Sequence, residues 1–261
     1  AEESTSWPMI TKPVYDGGLG FNFKWNMGWA NDLFAYMSMD PIYRMYHHDK
    51  LTFSMMYAFS ENYILPISHD EVVHGKKSLL DKCYGDYEQK FAGARLLFAY
   101  MMAHPGKKMV FMGCEYGQFR EWDYQNQLEW FMCDYPRHAE LRRCVAALNR
   151  FYLSERCFFA DDFSWGGFRW IYADRREDNV LAFARMDRSH HEVIAVFNFS
   201  PCLREHYEVA PLHSGHYELV FNTDAPEYGG GGHPVLEEDG NVGPDGVLRL
   251  ALPPLSALYL K

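Results

Sequence analysis

The chain has 261 residues and a mass of 30.5 kDa, so it can hold one large domain, or a large and a smaller one, around a substantial core. Its net charge of −10 and pI near 5.6 would repel nucleic-acid phosphates and anionic lipids, which argues against both classes of partner. No apolar run is long enough to span a bilayer and the first residues lack the pattern of a secretion signal, so we expect a soluble protein with no membrane partner.

The first 157 residues alternate between strand-like and helix-like patterns. Two carboxylates, Glu2 and Glu3, stand at the very start, where we expect the end of a strand that began before this chain does. The order of elements predicts parallel strands joined by helices, an α/β architecture. In chain order we predict a strand at 20–25, helices at 29–37 and 48–60, a strand at 62–68, a helix at 87–103, a strand at 107–113 and a helix at 139–154.

The pattern changes near residues 155–160, and from there short strand-like segments alternate with turn-rich pieces. Regular short strands of this kind predict an antiparallel β-sandwich. We therefore divide the chain into an α/β part, residues 1–157, and an all-β part, residues 158–261, and we expect the region from about 160 to fold independently. The glycine-rich "YGGGGHPV" lacks a phosphate-loop pattern and is interpreted as a flexible loop.

The cysteines carry no metal or disulfide signature. There are six, with no CxxC pair, which excludes the usual zinc knuckles and disulfide frameworks. Together with the missing export signal, this favours reduced thiols and a cytoplasmic location. The cysteines are Cys83, Cys114, Cys133, Cys144, Cys157 and Cys202.

A cluster of ionisable residues, "HDEVVHGKK", directly follows the apolar strand predicted at 62–68. Its ExxH spacing, Glu71 to His74, is compatible with a metal site, but a di-metal centre needs that motif twice and zincin spacing is not met. A solvated loop with local ion pairs is a second interpretation. The third is a catalytic carboxylate, Asp70, with His69 beside it to bind substrate, because α/β folds place their chemistry at the carboxyl ends of strands.

Two carboxylates at strand ends are also what glycoside chemistry requires. A retaining glycosidase uses one carboxyl group as nucleophile and another as acid/base, and further carboxylates stabilise the positively charged transition state. Glu2 and Asp70 are candidates for the acid/base and the stabiliser. Aromatic side chains, 17% of all residues, are compatible with sugar binding but are more often part of a core.

Several long motifs occur together and in a specific order. They are "AEEST", "GGLGFNFKWNMGW", "YHHDKLTFSMMYAFSENYILPISHDEVVHGKKS", "FMGCEYGQFREW" and "NTDAPEYGGGG". With these motifs the chain resembles the bacterial 1,4-α-glucan (glycogen) branching enzymes of the α-amylase superfamily over nearly its whole length. The resemblance implies the second half of a (β/α)8 TIM barrel, strands five to eight, followed by an antiparallel all-β domain.

The resemblance also implies residue roles. Glu2 matches the general acid/base, with Glu3 as the neighbour to check, His69 matches a histidine that contacts the sugar, and Asp70 matches the aspartate that stabilises the transition state. The residues 47–49, "HHD", match the family's pattern, and we interpret them as helix-capping and packing residues rather than metal ligands. Tyr116 stands where the family has phenylalanine, which is a conservative change.

One departure from the family is large. The nucleophilic aspartate and its arginine partner belong to barrel strand four, which lies outside this chain, so we expect a fragment that is inactive without the N-terminal part of the same protein. The implied reaction cleaves an α-1,4 glucan bond and transfers the chain to a 6-hydroxyl, with no metal and no organic cofactor. An α-glucan hydrolase and a non-catalytic glucan-binding fragment are the alternatives.

Overall fold

The first part of the chain is built around a parallel sheet. The computed structural model describes residues 1–2, 7–189 and 191–261, and within them this sheet has three strands, in the order β1 (Lys24–Trp25), β2 (Tyr63–Ile67), β3 (Lys107–Val110). The register pairs Trp25 with Ile64, and Ile67 with Val110. The predicted parallel arrangement is confirmed, although β1 and β3 are shorter than the segments 20–25 and 107–113.

Helices lie between these strands and after the last of them, and local sequence signals explain where two of them begin. They are α1 (Met27–Met37), α2 (Pro41–Arg44), α3 (Asp49–Thr52), α4 (Tyr87–Ala103) and α5 (Pro136–Ser154). Asn26 caps α1 by accepting the N–H of Trp29. Asp86 and Gln89 form a reciprocal capping box at the start of α4. The helices predicted at 29–37, 87–103 and 139–154 are therefore confirmed within three residues at each end.

The helix predicted at 48–60 is wrong in most of its length. Only α3 is α-helical there, and a 3-10 turn, Phe53–Met56, follows it. The capping role proposed for residues 47–49 is also wrong, because His48 already has helical backbone angles, φ −62° and ψ −25°, and its side chain makes no capping bond. His48 is 5% exposed, so its predicted packing role fits the structure.

The second part of the chain is antiparallel. Within the described residues its main sheet has five strands in the order β4-β5-β6-β10-β8, and β7 pairs with β9 in a separate ribbon. The antiparallel prediction is confirmed. The strands are β4 (Phe168–Tyr172), β5 (Val180–Met186), β6 (Glu192–Asn198), β7 (Arg204–Val209), β8 (Leu219–Asn222), β9 (Leu248–Leu252) and β10 (Ser256–Leu260).

The two faces of the five-stranded sheet bury different neighbours. On β5 and β6, alternate residues such as Val180 and Ile194 join a cluster with Leu248 and Leu250 of the ribbon. The intervening residues, among them Phe183 and Phe197, join the core cluster that contains α1, α4 and α5. The α/β part and the all-β part therefore share one continuous core.

Direct hydrogen bonds cross the same junction. The Tyr259 hydroxyl donates to the carbonyl of Ala99 on α4 at 2.5 Å, and Arg44 of α2 donates to the carbonyl of Phe199 at 2.6 Å. Both hydrogen bonds join residues more than 150 positions apart in the sequence. This packing argues against the expectation that the region from about 160 folds independently.

We expect residues 158–261, expressed alone, to lose cooperative unfolding and to bind the dye ANS. Phe183, Phe197 and Tyr259 are fully buried in the 261-residue chain. In the isolated region the face that carries them would be exposed to solvent. Near-UV circular dichroism and thermal unfolding measure this, with the 261-residue chain as the control. A sharp transition with native-like near-UV bands in the isolated region would instead support independent folding.

Candidate functional site

Ala1, the first residue of the chain, pairs with β1 of the parallel sheet and leads to the carboxyl edge of that sheet. The Ala1 amino group donates to the carbonyl of Phe23 at 2.6 Å, and the Trp25 N–H donates to the carbonyl of Ala1 at 3.0 Å. This pair of bonds is the parallel-strand pattern, so Ala1 sits beside β1 in register. Glu2, which is exposed, follows at the carboxyl edge.

His69 and Asp70 lie at the same edge, directly beyond β2. They belong to a short 3-10 turn, His69–Glu71, in which His69 Nε2 and Asp70 Oδ1 are 3.1 Å apart. Their side chains are 40% and 45% exposed, whereas Glu71 is buried. β1 lies between Ala1 and β2. Because adjacent strands are about 4.8 Å apart, about two such spacings separate Ala1 from β2. The turn thus presents an imidazole and a carboxylate to the solvent at this edge.

The segment that follows β3 holds the loop after β2 in place. Glu121 accepts the backbone N–H groups of Gly75 at 2.9 Å and of Lys77 at 2.7 Å. These two N–H groups hold the pKa of Glu121 below its usual value. The carboxylate therefore stays ionised and acts as an anchor for the loop that begins at His69.

Trp122 is the second contact between these two segments. Its backbone N–H donates to the carbonyl of Val72 at 2.7 Å, and its ring meets the His69 ring edge-to-face with 5.5 Å between centroids. Phe111, just beyond β3, lies 6.1 Å from the His69 ring. The sequence reasoning missed the positioning roles of Glu121 and Trp122. The signal for them in the sequence was the "REW" of residues 120–122, at the end of the motif "FMGCEYGQFREW".

Two buried polar atoms at the same edge have no hydrogen-bond partner among the described residues. One is Nδ2 of Asn26, the residue after β1, whose Oδ1 accepts from Trp29 and Tyr57. The other is Oγ of Ser68, the residue after β2. Each residue is at most 3% exposed. Unpaired buried polar groups cost free energy, and both atoms are available to a further segment, a water molecule or a ligand.

The structure therefore brings Glu2, His69 and Asp70 to one edge of one sheet, and their roles stay predictions. Glu3 lies outside the described residues. Glu71 and His74 of the ExxH spacing have different surroundings, since Glu71 is buried while the His74 side chain is fully exposed and lies 3.3 Å from Glu121. The described part of the chain contains no group of three or more His, Cys, Asp or Glu side chains that is arranged to hold a metal ion.

No helix in residues 1–2, 7–189 and 191–261 combines the length and the apolar character needed to cross a membrane. All six cysteines lie in the described ranges and are free thiols.

Comparison with known proteins finds a family model for the second part of the chain and structural neighbours for most of its length. Residues 170–261 match the family model "Alpha amylase, C-terminal all-beta domain". A pullulanase from Paenibacillus barengoltzii superimposes with a TM-score of 0.65 over 91% of this chain and 38% of its own, at 15% identity. At that identity the likeness shows the fold alone.

Curated sequences give a closer relation. The 1,4-alpha-glucan branching enzyme of Aquifex aeolicus is 52% identical over 100% of this chain and 42% of its own length. The enzyme of the same name from Halothermothrix orenii is 48% identical over 100% of this chain and 42% of its own length. The chain thus spans about two fifths of the length of these relatives. With identities of this size over its whole length, the chain belongs to the family of bacterial 1,4-α-glucan branching enzymes and corresponds to their carboxyl-terminal part.

Proposed function

We propose that this chain is the carboxyl-terminal part of an enzyme that cleaves α-1,4-glucan and transfers the released chain to a 6-hydroxyl. In this proposal residues 1–157 form the second half of a (β/α)8 barrel, and residues 158–261 form the all-β domain that follows it. The observation that carries the proposal is the backbone pairing of Ala1 with β1, which aligns Glu2 with the carboxyl edge that also bears His69 and Asp70. Barrel enzymes place their catalytic groups at that edge.

Glu2 would act as the general acid and base. It would protonate the glycosidic oxygen as the bond breaks, and would later remove a proton from the acceptor 6-hydroxyl. What supports this role is its exposure at the sheet edge, where a glucan chain can approach it. The nucleophile that forms the glycosyl-enzyme is assigned to a strand that precedes this chain.

Asp70 would stabilise the positive charge that develops on the sugar in the transition state, and His69 would donate a hydrogen bond to a sugar hydroxyl. The 3.1 Å contact between the two side chains supports a common task, because the carboxylate orients the imidazole. The edge-to-face contact with Trp122 limits rotation of the His69 ring. No metal or organic cofactor is required, since carboxylates supply both the covalent and the proton chemistry.

The same proposal gives the partners and the location of the protein. Its substrate is an α-glucan such as glycogen or amylose, and its necessary partner is the N-terminal part of the same protein. The free thiols support a cytoplasmic enzyme, because disulfides are rare in that compartment. The net charge of −10 supports a neutral glucan rather than a nucleic acid as substrate.

We expect the 261-residue chain alone to show no branching of amylose, and we expect branching when the N-terminal part is present in the same polypeptide. A retaining reaction needs a nucleophile opposite the acid/base, and Glu2 and Asp70 cannot occupy that position as well as their own. The iodine-stain spectrum and debranched chain lengths measure branching, and reducing ends measure hydrolysis.

Three outcomes would count against this proposal. Activity of the chain alone that disappears in Glu2→Gln would mean that the nucleophile lies within it. Reducing ends without new branches in the longer protein would mean that it is an α-glucan hydrolase. Neither activity, together with glucan binding, would mean that it is a non-catalytic binding protein.

A further inference from the structure

The loop that carries Asp70 runs on as far as the 3-10 turn Leu80–Lys82. Gly75 and Lys77 in this loop have left-handed backbone angles, with φ +84° and φ +69°. Glycine adopts such angles readily, but they are unfavourable for a residue with a Cβ atom, such as lysine. The loop therefore needs contacts from outside to keep this shape.

Charged side chains from two different segments hold the backbone of this loop. Glu121, in the segment after β3, accepts the N–H groups of Gly75 and Lys77. Lys82, in the turn that follows the loop, donates from Nζ to the carbonyl of the intervening Lys76 at 2.5 Å. Hydrogen bonds to charged groups are stronger than those between neutral groups. The two side chains thus form a clamp on residues 75–77.

Lys82 is itself held in place. It is 9% exposed, and its Nζ lies 5.2 Å from the ring centre of Phe34 on α1, where a cation is attracted by the aromatic face. Burial lowers the pKa of Lys82, and the negative charge of Glu71 is the largest of the effects that oppose this. Lys82 therefore interacts with two points of the loop, the carbonyl of Lys76 and the carboxylate next to Asp70.

We propose that Lys82 is a positioning residue for the branching reaction. Together with Glu121 it holds the loop so that the Asp70 carboxylate stays where positive charge develops on the sugar. The Asp70 side chain is 45% exposed, so packing around it does little to fix its position, and the clamped backbone supplies that order. The inference rests on the proposed function, because it requires Asp70 to act in the transition state.

The test uses the longer branching enzyme with Lys82→Met, which keeps an unbranched side chain but loses the charge and the donor. We expect kcat for branching to fall about tenfold, because a small displacement of a reacting group is costly for turnover. Affinity for a maltooligosaccharide should stay within about threefold, since Asp70 acts mainly in the transition state. Lys90→Met is the matched control and should branch as the unchanged enzyme does, because Lys90 pairs with Asp81 of the same turn rather than with the loop.

Two further measurements separate positioning from a purely structural role. In an Asp70→Asn background, Lys82→Met should lower kcat less than about threefold, because effects that act through one group are not additive. Hydrogen exchange of the longer enzyme, followed by mass spectrometry, should be faster at residues 75–77 in Lys82→Met and unchanged there in Lys90→Met. If circular dichroism shows that Lys82→Met is not folded, Glu121→Gln decides, since it weakens the other half of the clamp at a side chain that is 28% exposed.

Three results would overturn the inference. The first is an unchanged kcat in the folded variant, and the second is the same loss of kcat from Lys82→Met with and without Asp70→Asn. The third is unchanged hydrogen exchange at residues 75–77. Absence of branching in the unchanged longer protein would refute the proposed function and this inference with it, whereas branching that Lys82→Met does not affect would refute this inference alone.

Discussion

We expect Asp70→Asn to lower the turnover of the longer branching enzyme by about 100- to 1,000-fold and to leave glucan binding largely intact. Asparagine keeps the shape of the side chain and its contact with His69, but it lacks the negative charge. A group that stabilises charge developing in the transition state affects turnover far more than it affects binding of the ground state. The effect is thus predicted in kcat and not in the affinity for glucan.

Initial rates of branching and the affinity for a maltooligosaccharide measure the two quantities separately. Asp134→Asn is the matched control, because Asp134 is an exposed aspartate of the segment after β3 that makes no ion pair among the described residues. Turnover of Asp70→Asn within about threefold of the unchanged enzyme, an effect on the barrier of less than ~1 kcal/mol, would remove Asp70 from the mechanism.

The largest effect on stability is expected from Asp162→Ala, which should lower the free energy of unfolding by about 3–5 kcal/mol. Asp162 Oδ1 lies 3.0 Å from Arg185 and accepts the N–H of Gly106 at 2.9 Å, while Oδ2 lies 3.1 Å from Lys107. Arg185 is fully buried, so loss of the carboxylate leaves an uncompensated charge in the core. Because Gly106 and Lys107 mark the start of β3 and Arg185 is part of β5, this ion cluster joins the two parts of the chain.

Thermal unfolding measures this loss. At about 2–4 °C per kcal/mol for a chain of this size, the midpoint should fall by about 6–20 °C. The control is Lys261→Met, which removes the partially exposed ion pair with Glu155 and should cost less than about 1 kcal/mol. A midpoint for Asp162→Ala within ~2 °C of the unchanged chain would mean that the ion cluster does not stabilise the junction.

The same cluster predicts the direction of a pH effect. Burial alone would raise the pKa of Asp162, but Lys108, Arg185 and Lys107 together hold it below its usual value. A carboxyl group with a lowered pKa stabilises the folded state above its unfolded pKa of about 3.9, and this contribution is lost as the pH falls through the lower folded value. The destabilisation by Asp162→Ala should therefore be largest near neutral pH and should shrink in acid.

Local sequence patterns predicted most of the individual elements. The apolar spacing of residues 87–103 identified α4 with its observed bounds. The strand predicted at 62–68 is β2 with one residue fewer at each end. The ionisable residues after that strand pointed to the carboxyl edge of the sheet, because a buried strand does not continue into unpaired charge. Motifs such as "AEEST" and "HDEVVHGKK" pointed to the family, and the resemblance to that family gave the roles predicted for Glu2, His69 and Asp70.

The sequence by itself thus determined most of the element types, the change from α/β to antiparallel strands, and the strand ends that carry the candidate site. Only the tertiary structure decided that Phe183 and Tyr259 share a core with α4, that Glu121 and Trp122 hold the His69 loop, and that Lys82 bonds to the same loop. It also decided that residues 53–56 leave the α-helix. The physical reason is that caps, periodicity and turns act between neighbours in the chain, whereas burial and ion pairing join residues that are distant in sequence and meet only after packing.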